Sequence, residues 1–388
     1  MRHTSKILRG GNQVTAEPYM SKYLNRLAIK NGVPISGHFE LTPNCNFSCP
    51  MCYVHENRHK NELDTDTWLK FAEDAKKAGT LFLLLTGGEP FLRTDFAELY
   101  TALSQMGFVI SINTNGSLLS NYIDLLKKYP PFRVNVSLYA GNGDAYKSFC
   151  GVDAFDTVTK NIMLLKSAGI GVRLNSVFTE KNSEQAADII KFAKENELII
   201  KHTSYAYPQI RLGSDSGKNS ARLSAVRAAE TEVKSDLLRL GESGFARKAK
   251  TVLKTEDNIT SPDGYTSVRC RAGRSAYWIT WDGKMRACTM LPTPETEPLK
   301  VGFQTAWENL RHAVGEIKLP SECAVCKKRS VCPVCAAMCY TEMGSFDKRP
   351  QYLCNYFNEM RRLYSEYSEN MNTADITGDY IEEENDDC

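Results

Sequence analysis

Between residues 36 and about 205, short apolar runs alternate regularly with amphipathic stretches, and this alternation most constrains the fold of the chain. The amphipathic stretches have a helical period, and the apolar runs between them are short enough to be buried strands. Strands separated by helices pair in parallel through right-handed crossovers. The predicted strands cover residues 38–42, 81–86, 108–114, 133–139, 171–179 and 198–207.

Six such units are too few to close an eight-unit barrel. The sequence therefore predicts an α/β fold whose core is a partial (βα)6 barrel, open on one side. In folds of this kind the chemistry takes place at the carboxyl ends of the strands. The loops that follow the strands are therefore where we expect the functional residues.

Changes of composition divide the chain into five predicted segments. The last of them is acidic and poor in apolar residues, which predicts disorder. The segments are an N-terminal extension (1–35), the barrel core (36–207), a polar and then helical linker or lid (208–262), a small cysteine-rich domain (263–362) and an acidic tail (363–388).

The overall composition of the 388 residues excludes several classes of protein. The formal net charge is +2, from 48 basic and 46 acidic side chains, so the charge favours neither nucleic acid nor an anionic membrane as a partner. No apolar run approaches the length of a membrane span, and the N-terminus lacks the apolar core of a secretory signal. We expect a cytoplasmic protein, in which the thirteen cysteines serve as metal ligands or catalytic groups rather than as disulfides.

Three of these cysteines lie in one short segment, NCNFSCPMCYV, directly after the first predicted strand. Cys45, Cys49 and Cys52 form a C-x3-C-x2-C array. One interpretation is a zinc site that takes a fourth ligand such as His55. The interpretation we prefer is a [4Fe–4S] cluster held through three of its irons, because the fourth iron then stays open to a substrate or cofactor.

This array, with Met51 before the third cysteine and Tyr53 after it, resembles the signature loop of the radical S-adenosylmethionine (radical SAM) superfamily. The resemblance implies a TIM-like partial barrel over residues 36 to about 205 and S-adenosylmethionine as cofactor. In that family the open iron chelates the amino and carboxylate groups of the cofactor. Reductive cleavage of the cofactor then yields a 5′-deoxyadenosyl radical that abstracts hydrogen from the substrate.

Further positions follow from the same resemblance. The motif TGGEP (86–90) comes after the second predicted strand, and the family uses it to hold the amino group of the cofactor. A tight strand-to-helix turn is the alternative, since glycine allows close backbone approach in either case. The resemblance assigns these residues to cofactor binding: Tyr53, Gly87, Gly88, Glu89, Pro90, Ser137 as a ribose contact and Lys147 as a carboxylate contact.

Two of these expectations, and one further candidate residue, have ordinary structural alternatives. Ser137 can cap a helix, and Lys147 can be a solvated surface residue. Cys150, in the segment SFCG, can donate a hydrogen atom to a substrate radical, or it can be a small buried apolar residue.

The remaining cysteine cluster lies in the second half of the chain. Zinc ribbons are one interpretation, because paired C-x2-C turns are typical of them. Eight thiolates also fill two four-cysteine clusters. The members are Cys270, Cys288, Cys323, Cys326, Cys332, Cys335, Cys339 and Cys354.

The order of these cysteines resembles the SPASM domain, which holds auxiliary [4Fe–4S] clusters in radical SAM peptide maturases. The resemblance implies three clusters in the whole chain. It assigns Cys323, Cys326, Cys332 and Cys354 to the distal auxiliary cluster. It assigns Cys270 and Cys288 to the nearer one, joined by Cys335, Cys339 or both. This chain has one cysteine more than the family pattern, so that last choice stays open.

The leading functional hypothesis is a radical SAM oxidoreductase that crosslinks or epimerises a peptide or protein substrate. Because only about 35 residues precede the first predicted strand, we expect recognition of such a substrate to use a separate protein. A flavodoxin- or ferredoxin-type donor would supply electrons.

Three alternatives remain. Formylglycine formation on a sulfatase is one, although Thr289 stands where enzymes of that type place an acidic residue. Radical dehydrogenation of a small molecule such as a sugar, an aminoglycoside precursor or a tetrapyrrole is another. A zinc or iron–sulfur scaffold without enzymatic activity is the third.

Overall fold

The computed structural model describes residues 19–53, 62–208, 221–255, 267–369 and 371. His55 and residues 372–388 of the acidic tail lie outside the described residues. Within the described part of the chain, none of the helices combines the length and the apolar character that a membrane span requires.

Six parallel strands form the core of the molecule and follow one another in chain order across the sheet. Each strand pairs with its predecessor, which is the arrangement that repeated right-handed βα units produce. The predicted α/β fold with a partial barrel is thus confirmed. The strands are β1 (Ser36–Glu40), β2 (Phe82–Thr86), β3 (Val109–Thr114), β4 (Arg133–Ser137), β5 (Val172–Val177) and β6 (Ile199–Thr203).

The two faces of these strands bury different side chains. On the outer face apolar residues pack against the surrounding helices, as Phe39 does against Trp68 with ring centroids 5.1 Å apart. On the inner face many side chains are polar although buried, for example His38 and Asn135. Parallel strands covered on both faces usually carry near-continuous apolar runs. The polar inner face, which we call the lumen, is therefore a feature that needs a functional explanation.

Helices surround the sheet on its outer face. Their termini are specified locally: Asp64 accepts a hydrogen bond from the backbone N–H of Thr67 (2.8 Å), and Asn142 accepts one from that of Ala145 (3.0 Å). The helices up to β6 are α1 (Tyr19–Asn31), α2 (Thr65–Lys77), α3 (Phe96–Gln105), α4 (Ile123–Lys128), α5 (Gly143–Cys150), α6 (Phe155–Ser167) and α7 (Ala186–Glu195).

The cysteine-rich region extends the sheet of the barrel. A seventh strand pairs in parallel with β1, with Ser36 opposite Ala276, and two short antiparallel strands follow it. The sheet is thus continuous across the boundary predicted between core and cysteine-rich domain. The elements after β6 are α8 (Ala225–Val252), β7 (Ala276–Ile279), β8 (Met285–Arg286), β9 (Glu295–Thr296), α9 (Pro298–Val301), α10 (Phe303–Gly315), α11 (Ser321–Ala324), α12 (Ala336–Met343) and α13 (Gln351–Glu369).

The helix α13 corrects one expectation from the sequence. Residues 363–369 were assigned to the disordered tail, but they continue this helix. The reason is burial: the ring of Tyr364 stacks on Phe245 of α8 with centroids 4.9 Å apart, and its hydroxyl donates to Asp236 at 2.5 Å. An aromatic contact joined to a buried hydrogen bond outweighs the acidic composition of this stretch.

A buried charge cluster lies where α8 covers β6, the last strand of the barrel. Nε2 of His202 is 3.7 Å from Glu232 and 3.8 Å from Asp236. Lys248 and Arg239 contact Asp236 at 2.8 and 2.9 Å, and burial lowers the pKa of His202 to about 4. Two carboxylates are thus balanced by two cations around a neutral imidazole, which suits a structural bridge and not a site for a further cation.

Candidate active site

The three-cysteine segment begins where β1 ends, at the carboxyl end of the sheet. Leu41 still pairs with β2 through its N–H to the carbonyl of Thr86 at 2.8 Å. The chain then turns, and the hydroxyl of Thr42 accepts the N–H of Asn44 at 3.0 Å. From the opposite side, the N–H of Ser48 donates to the carbonyl of Cys150 at 2.8 Å. The segment is therefore attached at both flanks.

The thiols of this segment are partly buried, and that of Cys45 receives two N–H donors. Cys45 accepts the backbone N–H of Phe47 at 3.4 Å and the side-chain amide of Asn115 at 3.7 Å. Burial raises the pKa of the Cys45 thiol to about 11 in the metal-free chain. N–H donors to sulfur stabilise thiolates and tune the potential of iron–sulfur clusters, so this environment fits a metal-bound thiolate.

The three thiols of this segment lie close enough to influence one another. Besides burial, negative charge on Glu89, Cys52 and Cys49 raises the pKa of Cys45. Three neighbouring thiolates of one short segment suit a four-iron cluster that keeps one iron open. That they hold a [4Fe–4S] cluster and not zinc stays a prediction.

Two glycines lie against the three-cysteine segment. A Cβ on Gly88 would stand 2.1 Å from the carbonyl oxygen of Asn44, and one on Gly87 would stand 2.4 Å from that of Thr42. Gly87 also has φ +140°, which favours glycine. Backbone hydrogen bonds tie the two segments together, from the N–H of Gly88 to Thr42 and from that of Glu89 to Asn44, at 2.7 and 2.8 Å. Only glycine permits this approach.

The carboxylate of Glu89 is used inside the protein. It accepts hydrogen bonds from the hydroxyl of Thr114 (2.8 and 3.0 Å), the N–H of Asn115 (2.7 Å) and that of Phe91 (3.2 Å). Burial raises the pKa of Glu89 to about 7, against the effect of these donors. The side chain therefore positions the end of β3 beside the cysteines, and contact of this motif with a cofactor stays a prediction. Pro90 begins the buried turn that follows.

The other residues predicted to contact the cofactor differ in how they lie relative to the cysteine segment. Tyr53 directly follows Cys52, and Ser137 ends β4 at the same end of the sheet. Lys147 is exposed on α5 and pairs with Asp153 at 3.7 Å. The structure thus does not bring Lys147 to the cysteine segment, because the helical register turns this position outward.

Cys150, predicted as a possible hydrogen donor, is fully buried at the end of α5 within the apolar core. Its carbonyl, rather than its thiol, supports the cysteine segment. The structure therefore favours the alternative of a small buried apolar residue.

The late cysteines lie on both sides of β7 and on the final helices. Cys270 precedes β7, and Cys288 follows β8. Cys339 is on α12 and Cys354 on α13. The remaining members lie on α11 or in the loops around it: Cys323, Cys326, Cys332 and Cys335.

The electrostatics of these thiols show which of them are neighbours. Burial raises the pKa of Cys323 to about 11, and negative charge on Cys332, Cys354 and Cys326 raises it further. The pKa of Cys339 is also raised, chiefly by burial and then by charge on Cys323. The assignment of ligands to the two auxiliary clusters stays a prediction.

Two groups of residues at the site were not predicted from the sequence. Asn115, which donates to both Cys45 and Asn46, lies in the segment NTNG, whose position at the end of β3 was the available signal. The second group is the polar lumen, with Arg133 and Arg173 on neighbouring strands. Polar residues at every second position of strands expected to be buried were the signal for it.

Comparison with known proteins agrees with this geometry. The family model of the radical SAM superfamily matches residues 39–193. An AdoMet-dependent heme synthase of Methanosarcina barkeri is 25% identical over 334 residues, which are 82% of this chain and 95% of that protein. A probable GTP 3′,8-cyclase of Sulfurisphaera tokodaii is 31% identical over 251 residues, which are 64% of this chain and 79% of that protein.

Solved structures show the same architecture over most of the chain. SuiB of Streptococcus suis, in a crystal structure bound to the precursor peptide SuiA, aligns with a TM-score of 0.64 at 17% sequence identity. The alignment covers 91% of this chain and 84% of that one. At this level of identity the likeness establishes the fold.

Proposed function

Because this chain belongs to the radical SAM superfamily, we propose that it binds S-adenosylmethionine at the three-cysteine segment and uses it to oxidise a substrate held in the lumen. Membership makes the chain an enzyme of radical chemistry. The observation that carries the proposal is the junction between the two segments: three neighbouring thiols lie on a segment that packs against a glycine pair admitting no side chain. When bound, the cluster and cofactor supply a 5′-deoxyadenosyl radical for hydrogen abstraction.

The residues of the chain have distinct tasks in this proposal. Cys45, Cys49 and Cys52 would hold the cluster, and Gly87 and Gly88 let the turn after β2 pack directly against the cysteine segment. Glu89 keeps the end of β3 in place through Thr114 and Asn115. These groups are fixed before any ligand arrives, so little reorganisation is needed on binding.

The side chains around the lumen hold the substrate and limit its access to water. Strands β1 to β6 close most of the circumference, and β7 continues the wall beside β1. A radical on a substrate must be kept from solvent and from other reactive groups, which an enclosed cavity achieves. The late cysteines would supply up to eight thiolates for two auxiliary clusters. Such clusters can accept the electron that the substrate radical loses after hydrogen abstraction.

A small anionic molecule is the substrate class we place first. The heme synthase relative aligns over nearly its whole length, and the lumen of this chain is lined by arginine, histidine and amide side chains. A peptide or protein side chain is the second candidate, supported by the similarity of fold to SuiB, whose crystal structure contains a precursor peptide. In that case a separate recognition protein and a ferredoxin- or flavodoxin-type donor are expected partners.

The test begins with anaerobic reconstitution with iron and sulfide. We expect about twelve irons per chain, from three four-iron clusters, and formation of 5′-deoxyadenosine when dithionite and S-adenosylmethionine are added. Zinc without sulfide, or no 5′-deoxyadenosine from fully loaded protein, would contradict the proposal.

A second measurement separates the two substrate classes. Extracts are divided by filtration into a metabolite fraction and a polypeptide fraction, and each is added to the reconstituted enzyme. Stimulation of 5′-deoxyadenosine formation by the metabolite fraction alone supports the first candidate. Stimulation that requires the polypeptide fraction, and that is lost after its digestion by a protease, supports the second.

A further inference from the structure

A buried arginine lies among the late cysteines and has no task in the function proposed above. Arg329 follows α11 and stands between Cys326 and Cys332 in the chain. Its side chain is 2% exposed, whereas the neighbouring Lys327 is exposed. Arginine is rarely buried so completely. The contacts of Arg329 therefore indicate what its charge does in the interior of the cysteine-rich region.

Hydrogen bonds hold Arg329 within the loop of the distal cysteines. Its backbone N–H donates to the carbonyl of Cys326 at 2.9 Å, and its Nη1 donates to the carbonyl of Val334 at 2.8 Å. Val334 is itself 4% exposed, so the second hydrogen bond lies in the interior. The side chain thus spans the loop from Cys326 to a point beyond Cys332, and both of its ends are held in place.

The contact with Val334 also connects Arg329 to a cysteine sulfur. The carbonyl of Val334 accepts the guanidinium, and the backbone N–H of the same residue is a hydrogen-bond donor to the thiol of Cys332. N–H donors to sulfur tune the potential of iron–sulfur clusters. Arg329 therefore helps to orient one such donor toward a predicted cluster ligand.

The charge of Arg329 acts on thiols of both predicted auxiliary clusters. Burial raises the pKa of Cys323, Cys332 and Cys339, and the positive charge of Arg329 opposes this rise in all three. The first two are predicted ligands of the distal cluster, and Cys339 is a candidate ligand of the nearer one. Because the guanidinium is buried, water and salt screen its charge much less than they screen a cation at the surface.

We propose that Arg329 is a positioning residue whose buried charge raises the reduction potential of the auxiliary clusters, and this inference rests on the proposed radical function. Four thiolates make such a cluster negative, and a further electron adds to this negative charge. A fixed cation nearby attracts the reduced state more strongly than the oxidised state, so reduction becomes more favourable. Arg329 itself exchanges neither a proton nor an electron.

The electron balance of the proposed reaction explains why this potential matters. Hydrogen abstraction forms 5′-deoxyadenosine and leaves a radical on the substrate. The substrate radical then loses one electron and one proton: the electron reduces an auxiliary cluster, and the proton passes to water. A higher potential of the accepting cluster makes this transfer more favourable.

A redox titration of the reconstituted enzyme tests the inference. Electron paramagnetic resonance follows the reduction of the clusters in wild type, Arg329→Gln, Arg329→Lys and Lys327→Gln. The cluster at the three-cysteine segment is identified by the change of its signal when S-adenosylmethionine is added, and the remaining signals belong to the auxiliary clusters. Lys327→Gln is the matched control, because it removes the same charge from an exposed position of the same loop.

We expect the effect to follow the buried charge. Arg329→Gln should lower the equilibrium constant for one-electron reduction of an auxiliary cluster at least about tenfold, a shift of about 59 mV. Arg329→Lys keeps the charge and should stay within about threefold of wild type, and Lys327→Gln within about twofold, since water screens its charge. A merely structural role predicts a different result: both Arg329 variants would lose iron, and the potential of the remaining clusters would not change.

The inference is overturned if Arg329→Gln stays within about twofold of wild type, or if Arg329→Lys or Lys327→Gln shifts the potential as much as Arg329→Gln does. Should Arg329→Gln fail to hold its clusters, Arg329→Ala is reconstituted with added guanidinium or with urea, which has a similar planar shape without the charge. Restoration of iron by guanidinium alone supports the inference. Equal effects of the two compounds, including no effect, overturn it.

Failure of this inference can be told from failure of the proposed function, because the titration requires neither substrate nor turnover. If the potential depends on Arg329 as expected but wild type forms no 5′-deoxyadenosine, the radical function alone is refuted. If wild type forms 5′-deoxyadenosine and every variant has the same cluster potential, the inference alone is refuted. Zinc in place of the clusters overturns both.

Discussion

The two ends of the barrel lumen are built from the same six strands but from different chemistry. At the carboxyl end, three thiols lie beside a glycine pair and the buried carboxylate of Glu89. At the amino end, Arg133, Arg271, His38 and the amides of Asn25 and Asn135 line a cavity. One end is built from sulfur and close backbone contacts, and the other from basic and amide side chains.

The two ends also differ in how they are held. The carboxyl end, which the proposed function makes the reactive end, is fixed by backbone contacts such as that of Gly88 with Asn44, which tolerate almost no substitution. The amino end is lined by side chains, which can change without disturbing the strands. Relatives that differ in substrate, such as a heme synthase and a probable GTP cyclase, are compatible with a constant reactive end and a variable opposite end.

The largest expected effect separates the early cysteines from the late ones. Cys45→Ala should lower the iron content by about four per chain and abolish 5′-deoxyadenosine formation, because the open iron is lost with its cluster. Cys270→Ala should also remove about four irons, but it should slow 5′-deoxyadenosine formation by roughly tenfold or less, as an outer-sphere change does. Iron analysis and chromatography of the products measure both.

The control for that pair is Cys388→Ala, since Cys388 belongs to neither spacing pattern. It should leave iron content unchanged. If Cys270→Ala abolished 5′-deoxyadenosine as completely as Cys45→Ala, the two cysteine groups could not be assigned separate tasks.

A second prediction concerns the glycine pair at the reactive end. In Gly88→Ala the new Cβ would collide with the carbonyl of Asn44, so the cysteine segment must shift, at a cost of about 1–3 kcal/mol. Affinity for S-adenosylmethionine should fall at least about tenfold, which is the equivalent of 1.4 kcal/mol. Equilibrium dialysis of the reconstituted protein measures it.

Gly143→Ala is the matched control, because a Cβ at Gly143 meets nothing within 4 Å and lies on a helix. That variant should be as stable as wild type or more stable, by up to about 1 kcal/mol. Equal affinity in the two variants would show that the close approach at Gly88 does not shape the cofactor site.

The smallest predicted effect concerns the contact between β1 and β7 in the wall of the barrel. Trp278→Phe removes one hydrogen bond from the buried carboxylate of Glu40, which should lower the free energy of unfolding by about 1–3 kcal/mol. Urea denaturation measures this change, with Trp281→Phe as a control because Trp281 is only half-buried and follows β7. An equal loss of unfolding free energy in Trp281→Phe and Trp278→Phe would show that the hydrogen bond from Trp278 to Glu40 has no specific stabilising effect.

The parts of the molecule that the sequence predicted well are those with a local signal. The strands alternate with helices at a regular interval, so the order of β1 to β6 and the α/β class followed from the period of the apolar residues. The observed ends differ by a few residues: β1 covers Ser36–Glu40 where 38–42 was predicted. Strand ends depend on pairing with neighbours, here β2 and β7, and this pairing is not visible in a single segment.

Residues whose role depends on contacts distant in sequence were predicted less well. The contacts of Glu89 with Thr114 and Asn115 of the next strand could not be predicted from its own motif, and its predicted contact with the cofactor stays a prediction. Lys147 was expected near the cofactor, yet it lies exposed on α5 beside Asp153. The cavity at the amino end joins residues from α1, four strands and the turn before β7, and no local pattern brings Arg133 and Arg271 together.

The parallel pairing of β7 with β1 has a consequence for how such enzymes diversify. A chain cut before β7 would leave β1 as an open edge, whose unpaired backbone groups invite association with other chains. The barrel and the cysteine-rich region are therefore one structural unit. A chimera that joins this barrel to the C-terminal half of another enzyme would have to supply a strand of matching register beside β1.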